Sequence, residues 1–82
     1  MSLDNKLVYM ANQIGKFFAS QGQERAVAGT AEHIKKFWDP RMRTAIFAHL
    51  KDGGAGLDPN VRTALEQLAG AKNEATAHKA HS

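Results

Sequence analysis

Leu3, Leu7, Met10, Ile14 and Phe17 recur at steps of four, three, four and three, which is the spacing of one apolar stripe along a helix. Ala11 and Phe18 widen the stripe. Ser2 is a candidate N-cap, Asp4 suits the positive end of the helix dipole, and Gly22 in "SQGQE" supplies a C-terminal stop. A second helix is predicted from about Gln23 to Trp38, with Val27, Thr30, Ile34 and Phe37 or Trp38 at helical spacing. The small residues of "AVAGTA", Ala26 to Ala31, permit a close helix–helix approach. That approach offsets the cost of Gly29, up to about 1 kcal/mol against alanine inside a helix.

The stretch "FWDPRMRTAI", Phe37 to Ile46, marks the next corner. The Pro40 ring crowds the residue before it and disfavours helical geometry at Asp39. Asp39 is also a strong N-cap, and proline is preferred at the first helical position. Helix two is therefore expected to stop at about Trp38 and helix three to start directly after Asp39. Asp39 lies four before Arg43, an ion-pair spacing worth about 0.2–0.5 kcal/mol. Helix three carries Met42, Ile46, Phe47 and Leu50 on one side and ends at "DGGAG", read as a flexible corner. "DPNVRTAL", from Asp58, repeats the start signal. Helix four turns Val61, Ala64, Leu65 and Leu68 inward and is expected to end near Gly70. "AKNEATAHKAHS" has no apolar stripe and is expected to fray or stay disordered. The fold class is all-α: a small bundle of four short helices with tight corners, residues 1–70, followed by a polar tail, 71–82.

Composition narrows the picture. Eighty-two residues make one domain, and a chain of this size buries only about 60–65% of its unfolded surface, so its stability is marginal. There are no cysteines, which excludes disulfides and thiolate metal sites. No apolar run reaches the roughly 18–20 residues that span a bilayer. The N-terminus lacks a basic segment followed by an apolar core, and a cytoplasmic location is expected. The net charge of +3 is spread along the chain. Only the window from Lys35 to Arg43 is biased, with Lys35, Lys36, Arg41 and Arg43 against Asp39.

Candidate chemistry is sparse. His33 and His49 are far apart, His78 and His81 lie in the tail, and no HExxH or CxxC pattern exists; no metal or cofactor is expected on this chain. Glu32 and His33 are adjacent, so on a helix they point about 100° apart and cannot cooperate. "GGAG" lacks the lysine and hydroxyl residue of a phosphate loop. Nucleic-acid binding through the basic corner is the alternative reading. Against it, "PRMRTAIFAHL" offers few polar side chains to read base edges, and Arg41 and Arg43 point roughly 200° apart. Partner docking fits best. Phe17–Phe18 and Phe37–Trp38 are adjacent pairs that cannot both enter one small core, so apolar surface is expected to stay exposed.

"YMANQIGKFF" (Tyr9 to Phe18), "AEHIKKFWDPRMRTAI" (Ala31 to Ile46) and "GGAGLDP" (Gly53 to Pro59) occur in that order. Together they resemble the delta subunit of soluble NAD-dependent, molybdenum-containing formate dehydrogenase, over about residues 7 to 70. The resemblance implies a non-catalytic accessory chain of a cytoplasmic complex that oxidises formate with NAD as acceptor. It implies an alpha subunit with bis-molybdopterin guanine dinucleotide and iron–sulfur clusters, and beta and gamma subunits carrying FMN and further clusters to NAD. The delta chain would support assembly, stability or maturation with the molybdenum cofactor, as a permanent subunit or a transient factor. The expected contact with the alpha subunit is the Phe37–Arg43 corner. There Trp38 and Met42 are the apolar anchors beside Phe37, and Arg41 or Arg43 pairs with carboxylates or carbonyls.

Overall fold

The computed structural model describes residues 3 to 81, with side chains from 3 to 70. Four helices follow one another: α1 (Leu3–Ala19), α2 (Gln23–Phe37), α3 (Pro40–Lys51) and α4 (Pro59–His81). No described residue is in a strand. The Ser2 cap lies outside the described residues. Gly22 precedes α2 as expected of a stop-and-start residue, with φ 129° and ψ 149°.

The second corner is as tight as its residues demand. Trp38 leaves helical geometry at φ −83°, ψ 136°. Asp39, also extended, accepts from the Met42 N–H at 2.9 Å with Pro40 at the head of α3. The third corner needs glycine: Gly53, Gly54 and Gly56 sit at φ 119°, 65° and 85°, where a Cβ is strongly disfavoured. It is held from three directions. Asn12 of α1 donates to the Gly56 carbonyl and accepts from the Asp58 N–H, each at 2.9 Å. His49 Nε2 donates to the Ala55 carbonyl at 2.7 Å. Arg62 donates to the Gly53 and Gly54 carbonyls. The flexible corner of the sequence reading is thus a pinned one, because its backbone groups find side-chain partners on three helices.

The core is built from Leu7, Val8 and Ala11 of α1, Ile34 and Trp38 at the end of α2, Ile46 of α3, and Val61 and Leu65 of α4. α1 packs most extensively on α2, and α2 next on α4. Two glycines permit this approach. A Cβ on Gly15 would lie 2.5 Å from Val61 Cγ2, and one on Gly29 would collide with the Phe18 ring. Thr30, fully buried, donates its hydroxyl to the Ala26 carbonyl at 2.5 Å, so the polar atom costs little.

Two expectations are corrected. Val61, Ala64 and Leu65 face inward as expected, but α4 continues past Gly70 to His81. A single glycine costs a helix about 1 kcal/mol without breaking it, and the polar tail expected from Ala71 falls where side chains are not described. The α1 stripe is also only half buried. Leu7 is in the core and Met10 and Ile14 pack on its edge, while Leu3 and Phe17 stay 62% and 60% exposed. The buried line is instead Leu7, Val8, Ala11 and Gly15.

Candidate docking face

The five residues expected to dock divide between core and surface. Trp38 is 4% exposed and belongs to the core, so it is no surface anchor. Phe37, its neighbour, is 72% exposed. Phe37 is the last helical residue of α2 and Trp38 the extended residue after it, and the bundle takes the larger ring inward. Met42 is half-buried against the core. Arg43 is spent inside the molecule: its Nη1 donates to the Lys35 carbonyl at 2.8 Å and the Trp38 carbonyl at 3.0 Å. The expected Asp39–Arg43 ion pair gives way to this arrangement, because orphan carbonyls at the end of α2 offer the guanidinium partners at the negative end of a helix dipole. Arg41 alone of the two arginines is exposed and uncommitted. Arg62 repeats the device at the next corner, which gives the "DPxxRTA" repeat a second meaning: each copy starts a helix and ties back the segment before it.

Phe37 is one end of a run of rings across the outer side of α1 and α2. It stacks on His33 with centroids 4.8 Å apart, His33 lies 6.4 Å from Phe18, and Phe18 meets Phe17 edge-to-face at 5.0 Å. Phe18 and His33 are half-buried, and Phe17 is open to solvent. Beside Phe18 the surface dips into a depression of about 350 Å³, floored by Ala28 and Gly29 and edged by Glu24, Arg25 and Glu32. The two adjacent aromatic pairs predict surplus rings but not their joining into one run. The joining signal was His33, four before Phe37 and facing the α1 rings.

Charged groups near this face do structural work. Glu32 pairs with Lys36 at 2.7 Å, both exposed, and that hydrogen bond and charge hold the Glu32 carboxyl below its usual range. His49, with Nε2 on Ala55, turns Nδ1 toward the Asp4 carboxylate at 4.0 Å. Among the described residues no three histidine, aspartate or glutamate side chains come together to hold a metal. No described helix is long and apolar enough to cross a membrane.

Fold and face define a class: a small all-α chain with a run of aromatic rings, exposed at both ends, across two helices. The pattern of the NADH-dependent formate dehydrogenase delta subunit, FdsD, matches residues 6–65, well over half of the chain, and the chain belongs to that family. No curated protein and no solved structure matches it.

Proposed function

We propose that this chain is a non-catalytic accessory subunit that docks on the alpha, catalytic, subunit of a cytoplasmic formate dehydrogenase complex and supports its assembly, stability or molybdenum-cofactor maturation. The molybdopterin, iron–sulfur, FMN and NAD sites then belong to the alpha, beta and gamma subunits, and this chain holds none of them. One observation carries the reading. Phe17 and Phe37 lie open to solvent at the two ends of a ring run that Phe18 and His33 complete. Exposed aromatics in a contiguous patch are what interface centres are made of. Within the originally expected corner, Phe37 and Arg41 stay at the contact, while Trp38 and Arg43 hold the shape that presents them.

The test uses Phe17→Asp and Phe37→Asp, singly and together. Both side chains are exposed, so helicity and thermal midpoint stay near those of the parent. Copurification with the formate dehydrogenase subunits weakens about 100-fold or more for the double variant, the effect of losing hot-spot anchors. Undiminished copurification of the double variant overturns the reading. Stoichiometry in the purified active complex separates a permanent subunit from a maturation factor that leaves.

A further inference from the structure

The docking face has a periodicity as well as a composition. Leu3, Met10, Ile14 and Phe17 lie on one strip of α1, beside the buried line of Leu7, Ala11 and Gly15. Leu3, Met10 and Phe17 recur every seven residues, with Ile14 four after Met10, over about four turns, roughly 21 Å of helix. Its middle, Met10 and Ile14, is half-buried against the core, and its two ends, Leu3 and Phe17, are exposed. A seam with this repeat is what one helix presents to another in knobs-into-holes packing. The second wall is α2, with His33, Phe37 and the depression over Gly29. Two walls and a seam covered only in its middle describe a groove shaped for a third helix. Strand addition has no counterpart here, since no described residue offers a sheet edge.

Charge says which helix. Among the described residues of α1 and α2, Asp4 is turned to His49 and Glu32 holds Lys36. Exposed Lys6, Lys16 and Arg25 make no ion pair, Lys35 only adds to the field on Glu32, and neither Asp4 nor Glu24 holds a lysine or arginine, so the two helices carry five lysine and arginine side chains against three carboxylates. A second copy of this chain would bring the same cationic surplus to the contact, which disfavours self-association. We infer that the groove between α1 and α2 takes an amphipathic helix of the partner subunit, about four turns long, with large apolar residues at heptad spacing and acidic residues on its flanks. The inference rests on the docking reading above and adds the shape and charge of what docks.

The experiment is photo-crosslinking within the purified complex. Benzoylphenylalanine replaces Leu3, Met10 or Phe17 in turn, with Thr63, exposed on α4, as the control position. Crosslinked partner residues are mapped by mass spectrometry. The expected result is one partner segment, hit at steps of three to four residues, with aspartate or glutamate beside the hits and no crosslink from Thr63. In the same complex, Lys16→Glu with Arg25→Glu lowers association about tenfold or more at low salt, and less in high salt. Hits scattered over separate loops, hits at steps of two, hits on a second copy of this chain, or a Thr63 crosslink in place of the others overturn the helix inference and leave the accessory role standing. A chain that purifies apart from every formate dehydrogenase subunit overturns the accessory role, and this inference with it.

Discussion

Phe37 and Trp38 are neighbours with opposite duties. Trp38 closes the core where α2 meets α3, and Phe37 stands 72% exposed on the outer side of the same turn. Truncating a buried tryptophan costs about 3–5 kcal/mol, a large part of what a marginal domain of this size holds. Trp38→Ala is therefore expected to unfold the free chain, read as loss of the helical circular-dichroism signal at 25 °C. Phe37→Ser is expected to shift urea-denaturation stability by no more than about 0.5 kcal/mol while weakening docking. A reversed pair of outcomes would mean that the bundle packs the other ring inward. Thr30 shows the same economy at a buried polar position. Its hydroxyl turns back on its own helix at Ala26, so no neighbour has to supply a partner.

At the scale of elements, the corners decide how the helices sit. The α2–α3 corner combines the Asp39 cap on Met42 with the Arg43 guanidinium on the Lys35 and Trp38 carbonyls. Asp39→Ala removes the cap and is expected to cost about 1 kcal/mol. Arg43→Met leaves two carbonyls to water and is expected to cost a similar amount, about 1 kcal/mol. Lysine at that position is expected to recover part, because a single nitrogen, Nη1, makes both bonds and an ammonium also carries several donors, though on a shorter, more flexible stem. Urea denaturation of the three variants checks these values. Faster amide exchange confined to the last turn of α2 in the arginine variants would locate the effect. At the α3–α4 corner, Asn12 binds both sides of the glycine turn, from a helix that precedes it by more than forty positions in the chain. Asn12→Ala is expected to loosen this corner first, seen as exchange of the Asp58 amide well before the core amides. Equal exchange at Asp58 in parent and variant would show that His49 and Arg62 hold the turn without it.

For the whole molecule, stability and assembly are linked. A small bundle with little interior gains from any partner that binds only its folded form, by about 2.7 kcal/mol at a hundredfold excess over Kd. The ring face is where that gain would be collected. Its electrostatics add a pH dependence of known sign. The hydrogen bond and charge of Lys36 lower the folded-state pKa of Glu32 below the usual carboxylate range. The contribution is present above the unfolded-state value and lost as pH falls through the lower folded value. Because both groups are exposed, salt screens it. Glu32→Gln is therefore expected to flatten the acid limb of the stability–pH curve at low ionic strength and to change nothing at neutral pH in high salt. Thermal midpoints between pH 3 and 6, at two salt concentrations, check this, and an unchanged acid limb would show that the pair does not persist in solution.

Local features of the chain were enough to place the starts of α2, α3 and α4 and the Asp39 cap, though not the end of α4. Apolar spacing, the Asp–Pro starts and the glycine stops act within a few residues, so their effect does not depend on what lies elsewhere. The inward faces of Ile34, Ile46, Val61 and Leu65 were legible for the same reason. The surplus of rings was legible too, since adjacent aromatics cannot share one small interior. Which ring of each pair stays outside was not, and neither was the conversion of Arg43 from an ion-pair partner to a carbonyl cap or of the glycine corner to a pinned turn. Spacing defines an apolar arc on each helix, and on α1 that arc is wider than α2, α3 and α4 together cover. Only the packing of helices distant in sequence decides which part of the arc is buried and which part, at Leu3 and Phe17, is left exposed.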